Sequence, residues 1–247
     1  MSPDTKMDML ANELRERVQR GVFGTAGRLP SLRMLADEFG TSNETMNKVV
    51  QRLQAEGVLL SLGRAGVFVH PPFTRISGLT KNFSEYLESL GLTAIEKNIE
   101  KPAFVPAPIE VAKAFDIREG TPILRRFRWQ GTPTIRYRLA ENYYAPDLVD
   151  EEVLERIRED ERYDVLEYIK EKHHKIIKHV HEDVYSRLPN SEEQEHLNIV
   201  RHMPVLEILR TSYSAKEDGS VILYNRLIYV GSYTFLSHDY SVPFWEK

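Results

Sequence analysis

The sequence predicts an α+β protein in two parts: three amphipathic helices closed by a two-stranded hairpin, followed by a mostly antiparallel sheet that carries helices. Three observations lead there. Apolar residues recur at three- and four-residue spacing up to Gly57, in segments separated by glycine-bearing turns. Beyond Thr80, strand-like runs rich in Val, Ile, Tyr and Leu are interleaved with short helical ones. Between the two regions, His70-Pro71-Pro72 cannot continue a strand ladder and the stretch to Thr80 has no periodicity, so residues 71–80 are expected to link domains 1–70 and 81–247.

Composition narrows the function classes. With 247 residues, 41% hydrophobic and 28% charged, the chain has globular composition, and disordered, collagenous and coiled-coil readings fall away. No apolar run reaches the roughly 18 residues of a membrane span, and MSPDTKMDML lacks the basic start of a secretory signal, so a cytoplasmic protein is expected. The absence of cysteine excludes disulfides, thiolate nucleophiles and cysteine-held zinc. A net charge of −4 looks unsuited to nucleic acid, but it is unevenly spread. Residues 1–75 carry ten Lys and Arg against eight acids, net +2, which leaves −6 for residues 76–247.

The elements follow in order. Met7, Leu10, Ala11, Leu14 and Val18 mark one face of a first helix that Gly21 and Gly24 end. Ser31 can cap a second, with Leu32, Leu35, Ala36 and Phe39 inward and Gly40 as its stop. Thr41 and Glu44 fit a capping box for a third, whose inner face is Met46, Val49, Val50 and Leu53. Two short helices joined so tightly must cross steeply, which is helix-turn-helix geometry. VLLSLGRAGVFVH then reads as two strands around Gly63-Arg64-Ala65-Gly66, a wing with a basic tip. In the second part strands are expected at 95–104, 122–129, 134–144, 175–187, 205–214 and 220–232, and helices at 83–90, 109–115, 146–158, 165–172 and 191–197.

The run LPSLRMLADEFGTSNETMNKVVQRLQAEGVLLSLGRAGVFV resembles the GntR family of bacterial transcription regulators, with its Leu-Pro-Ser-x-Arg-x-Leu-Ala opening, its Leu-x-x-Glu-Gly and its Gly-containing wing. The remainder resembles the UTRA ligand-binding domain of the HutC subfamily, through Asn82-Phe83-Ser84, Arg126-x-Arg128, Glu141-x-x-Tyr-x-Pro146 and Arg210-x-x-Tyr213. The resemblance implies a winged helix-turn-helix joined to a chorismate-lyase-like sheet. It implies a homodimeric repressor of a palindromic double-stranded DNA operator, released by a small-molecule effector, with no cofactor and no membrane partner.

Carried over, the DNA-touching residues are Arg33, the start of the third helix (Ser42, Asn43, Thr45, Asn47 and Lys48), and Arg64 and Gly66 in the wing. Helix geometry agrees, since a helix in the major groove offers its first turns to base edges. Relatives commonly have Arg where this chain has Asn43, and some where it has Asn47, so guanine reading by forked Arg is lost there and adenine is favoured. The effector set implied is Phe83, Ser84, Arg126 and Arg128 around an anion, with Glu141 and Tyr229 nearby. Arg offers paired donors to paired oxygens, which suits phosphate or carboxylate. Asp164, Leu166 and Leu223 stand where sugar-phosphate-responsive members carry a Ser-x-Tyr pair and a Glu, so aminosugar phosphates should bind poorly. A ligand with one anionic end, one donor and an apolar body is expected instead.

Three other readings compete. His179, His181 and Asp183 could form a facial metal site on a strand, although alternating polar residues usually mark a solvated face. The missing sugar-reading residues fit a ligand-free autorepressor whose second domain only dimerises. A chorismate-lyase-like enzyme in residues 81–247 shares the expected fold, but a fold does not give a function.

Overall fold

The computed structural model describes residues 6–24, 27–61, 66–70, 74–75, 82–215 and 219–236. Contacts divide the chain into two units, Met1–Phe73 and Thr74–Lys247. In the first, α1 (Lys6–Gln19), α2 (Leu32–Glu38) and α3 (Asn43–Ala55) precede the antiparallel strands β1 (Leu59–Ser61) and β2 (Val67–Val69). The apolar stripes converge as their spacing requires: Leu10, Leu14, Leu35, Met46, Val49 and Leu53 are buried in one core, with Leu29 and Leu59 closing it. Gly57, at φ +71°, makes the reversal from α3 into β1, a conformation that disfavours any side chain. Leu29 donates its amide to Val67 and Gly27 accepts from Val69, both at 2.8 Å, so the segment before α2 runs as a third edge beside the hairpin.

Of the expected capping pair, neither partner serves. Ser42 is the last extended residue before α3 and its Oγ accepts the Thr45 amide at 3.1 Å, so the cap falls one residue after Thr41. Glu44 therefore sits in the first turn, facing Lys48 at 2.8 Å. Two adjacent hydroxyls look alike in sequence; backbone direction chooses between them.

The second unit is a seven-stranded antiparallel sheet in the order β4-β6-β7-β10-β9-β8, with β5 also paired to β6. Its strands are β4 (Ile95–Asn98), β5 (Ala103–Pro106), β6 (Pro122–Gly131), β7 (Arg136–Tyr144), β8 (His179–Arg187), β9 (Val205–Tyr213) and β10 (Val221–Val230). The single strand expected at 95–104 is two, broken before Pro102, which has no amide to donate. The strand expected from 175 starts at His179, because His174 turns left-handed to end the preceding helix. β3 (Thr74–Arg75), inside the stretch expected to be linker, pairs in parallel with β11 (Thr234–Phe235).

Helices cover both faces. On one, α6 (Glu151–Glu159) and α7 (Val165–His173) pack on Leu124, Tyr144 and Leu223, and α4 (Phe83–Ser89) lays Phe83 against Tyr229. On the other, α5 (Ile109–Phe115) packs on Ile123, Tyr143 and Tyr224, while α8 (Ser191–Leu197) is held by charge. Glu193 of α8 is buried, closes a capping box with Asn190, and takes both Arg187 terminal nitrogens at 2.7 Å. Glu207 on β9 accepts from Arg187 and Arg226, each at 2.6 Å.

Burial alone would raise both carboxyls, but the arginine hydrogen bonds outweigh it and hold Glu193 and Glu207 below the usual range. A depressed carboxylate contributes stability above its unfolded pKa, near 4.3, that is lost as pH falls through the folded value. Glu193→Ala should therefore cost about 3 kcal/mol at pH 7, and the cost should shrink in acid. Urea unfolding at pH 7 and pH 4 checks it; an equal cost at both would remove the charge argument.

Candidate nucleic-acid interface and ligand cavity

In the first unit the inner face of α3 is buried, with Met46 and Val49 fully enclosed, so the opposite face of the same turns must look outward. Ser42, Asn43 and Lys48 are exposed, and Thr45 and Asn47 half-buried. Asn43 and Asn47 lie one turn apart on that outer face. Among the described residues Lys48 pairs with Glu44, an exposed pair that competes weakly with other anions.

Arginines elsewhere in this unit are spent on acids. Arg15 meets Glu56, Arg17 meets Glu38 and Arg52 meets Asp8, each at 2.5 Å. Arg33 is exposed on α2 and has no ion pair among the described residues. The same holds for Arg28, which sequence reasoning passed over. Arg28 bridges Phe68 across the hairpin, and a Cβ at Gly66 would stand 3.0 Å from its Nε. Gly66, at φ +107°, thus leaves room for Arg28 beside the wing. Arg64, the expected basic tip, lies outside the described residues.

In the second unit the α6–α7 face of the sheet encloses a cavity of about 130 Å³. Its polar lining comes from strand alternation: Arg126 and Arg128 on β6, Arg138 and Asn142 on β7, Arg210 on β9 and Asn225 on β10. Register sets four of these in a line, since Arg126 pairs with Asn142, Asn142 with Asn225 and Asn225 with Arg210. Asn225 donates to Asn142 at 2.8 Å, and Asn142 donates to the Tyr144 hydroxyl at 3.1 Å. Leu223 and Leu227 supply apolar floor.

The arginines are answered differently. Arg128 binds Glu96 at 2.5 Å, the carboxylate being almost fully buried and also accepting from the Ser84 hydroxyl. Arg210 is paired with Glu182 at the sheet edge. Arg126 donates to the carbonyls of Tyr163, at 3.1 Å, and Glu161. Arg138 donates to Gln130 Oε1 at 2.7 Å and to the Tyr229 hydroxyl, and its guanidinium stacks 4.1 Å over the Phe83 ring. Desolvation, with Arg128 adding to it, pulls Arg126 below the ordinary arginine range. Desolvation acts on Arg138 too, with Arg210 and Arg128 adding to it. Glu96 goes below the carboxylate norm despite its burial, because Arg128 and then Ser84 favour its charged form.

The structure brings together Phe83, Arg126, Arg128, Asp164 and Leu223 of the expected effector set, all bordering the cavity. Asp164 is the N-cap of α7, its Oδ1 taking the amides of Leu166 and Glu167. Ser84 and Tyr229 stand behind the lining and act through Glu96 and Arg138. Glu141 lies on the opposite face, bound to Arg125 at 2.6 Å, because alternation on β7 sends it away from Asn142. Arg138, Asn142 and Asn225 were not singled out from sequence. Their signal was the two-residue period along β7 and β10, masked there because both faces of these central strands are buried.

Residues 94–234 match the UTRA domain family, and residues 6–69 match bacterial regulatory proteins of the gntR family. Over 88% of its length the chain is 24% identical to the mannosyl-D-glycerate transport/metabolism system repressor MngR of Escherichia coli, covering 88% of that protein. It is 26% identical to the HTH-type transcriptional repressor NagR of Bacillus subtilis, over 93% of this chain and 92% of that one. Among solved structures, PhnF from Mycobacterium smegmatis is similar with a TM-score of 0.61 at 19% identity, covering 94% of this chain and 99% of that one. The C-terminal domain of the histidine utilization repressor from Pseudomonas syringae is similar over 60% of this chain and 99% of that one, at 19% identity and a TM-score of 0.51.

Removing Arg128 would leave Glu96 charged and buried without its ion-pair partner, answered by the Ser84 and Gln130 side chains. Arg128→Ala should destabilise the protein by about 3–5 kcal/mol, and adding Glu96→Gln should recover part of the loss. Equilibrium unfolding of the two variants measures this, and additive losses would show the pair to be uncoupled.

Proposed function

Because the chain belongs to the gntR family of bacterial regulatory proteins and carries a UTRA domain, we propose that it works as a homodimeric repressor whose grip on its operator is set by a small anionic effector. It is a DNA-binding transcription regulator with a UTRA effector-binding domain, and its relatives are regulators rather than enzymes. No helix among the described residues is long and apolar enough to cross a membrane, and a protein that reads an operator works in the bacterial cytoplasm.

The observation that carries the effector reading is the convergence of four arginines on one small cavity. A buried guanidinium costs free energy that neutral partners offset only in part, so an anion that enters is strongly favoured. Arg128 Nε is buried and meets no acceptor among the described residues, which also supports a ligand there. The anchoring of Arg126 on main-chain carbonyls fits the rival reading, a domain that only dimerises, but it leaves Arg138 and Arg128 Nε unexplained.

The route from cavity to DNA runs through β10. That strand carries Asn225 and Leu227 into the cavity, continues through the turn Gly231–Tyr233 into β11, and β11 pairs with Thr74–Arg75, directly after the DNA-reading unit. An effector that shifts β10 changes how firmly this pairing holds and so how the two DNA-reading units of a dimer are presented.

On DNA, α3 lies in the major groove, with Asn43 and Asn47 on base edges and Ser42, Thr45 and Lys48 beside them. Arg33, Gly66 and Arg28 meet the backbone, and Arg64 joins them as the resemblance implies. Two such units related by a two-fold axis read half-sites about one helical turn apart. Sites selected from random duplexes should be palindromic, and Asn43→Ala or Asn47→Ala should cost about 1–3 kcal/mol on the preferred site with little change on other DNA. Selected sites without dyad symmetry would overturn the arrangement. Arg28→Ala and Arg33→Ala should weaken binding to all sequences and lower the salt slope by about one per contact per half-site. Unaltered slopes in titrations against salt would return both side chains to solvent.

A further inference from the structure

Charge in the cavity does not close. Of its four arginines, Arg128 is answered by Glu96 and Arg210 by Glu182. Among the described residues Arg126 and Arg138 hydrogen-bond to neutral oxygens, namely main-chain carbonyls, amide oxygens and tyrosine hydroxyls, and Glu96, already bound to Arg128, acts on Arg126 only through space. The remaining lining acid, Asp164, is exposed and occupied as the cap of α7. Two buried cations are thus without a hydrogen-bonded carboxylate.

The two are also held apart. Arg126 is drawn toward the connection between α6 and α7 by the carbonyls of Glu161 and Tyr163. Arg138 is fixed toward α4, its guanidinium against the Phe83 ring. On the sheet, Arg126 of β6 pairs with Asn142, and Arg138 lies four residues back from Asn142 along β7, a backbone spacing of about 13 Å at 3.3 Å per residue. A small anionic group bound at Arg126 therefore leaves Arg138, held on a different element, to a second group. Asn142 and Asn225 border the same space and offer amide donors and acceptors to whatever joins two anionic ends.

We infer that the effector of this domain is a small molecule with two separate anionic groups on a short polar or apolar spacer, one group held by Arg126 and Arg128 and the other by Arg138. This rests on the effector reading above and sharpens it, since a ligand with one anionic end leaves Arg138 unmatched. The chemistry is shared by short dicarboxylates and by phosphorylated carboxylic acids, and a cavity of about 130 Å³ suits the smaller members of either class.

Two matched pairs of probes test it by calorimetry on the full chain: glutarate against its monoamide, glutaramate, and 3-phosphoglycerate against glycerol 3-phosphate. In each pair the second compound lacks one anionic group. In at least one pair the doubly anionic member should bind tenfold or more tightly than its mate, the size expected for one further charge-assisted hydrogen-bonded contact. Which pair shows the difference tells dicarboxylate from phosphorylated acid. Arg138→Gln should erase the advantage, so that the two members of the pair bind alike. Asn225→Asp, which places a negative charge in the same cavity without removing a buried arginine, should weaken the doubly anionic member more than its mate. Equal affinities within both pairs would overturn the second pole and leave a singly anionic effector standing. Silence from all four compounds, with no change in operator binding, would overturn both.

Discussion

A guanidinium inside a protein has to find acceptors, and the second unit holds four on one face of one sheet. Each recruits from a different element: Glu96 from β4, Glu182 from β8, the carbonyls of Glu161 and Tyr163 from the connection between two helices, and Gln130 and Tyr229 from β6 and β10. Meeting the cost of burying these charges therefore ties both outer strands and a helical connection to the centre of the sheet. The cavity is the space left where the arginines are not fully answered. Stability and binding draw on the same side chains, which is how a ligand bound there can alter the strand that leaves the site.

The opposite face solves the same problem completely. Arg187 and Arg226 meet Glu193 and Glu207 in one network, so α8 is pinned with its charges matched, and α5 packs by apolar contact alone. One face is closed and the other open, although both are arginine-rich. The difference is how many carboxylates the neighbouring strands and helices bring to them.

In the DNA-reading unit, charge is again a question of pairing rather than of total. In a chain of net charge −4, Arg15, Arg17 and Arg52 of this unit are bound to acids, while Arg28 and Arg33 have no ion pair among the described residues. The outer turns of α3 present the neutral amides of Asn43 and Asn47, groups suited to matching a hydrogen-bond pattern rather than to bulk attraction.

Local pattern made much of this legible. The apolar stripes of the three helices, Ser31 as a cap, the glycine reversal at Gly57 and the hairpin all depend on residues a turn or two apart, and periodicity reports such neighbours directly. The motif Arg126-x-Arg128 likewise marked one end of the cavity, because two residues on a strand share a face whatever pairs with it. Where the reading slipped, neighbouring positions looked alike in sequence and the exact backbone path chose between them: the break at Pro102, the cap at Ser42 and the far side taken by Glu141. Asn142 and Asn225 are 83 residues apart in the chain and 2.8 Å apart in space. The sequence by itself determined the helix-turn-helix core, the wing and a cationic strand, through side-chain periods that are properties of the local backbone. Only the tertiary structure decided which arginines are answered, because register sets Arg210 across from Glu182 and Arg138 across from Gln130, brings Glu96 diagonally to Arg128, and leaves Arg126 to the carbonyls of the connection between α6 and α7, and no local pattern encodes that match.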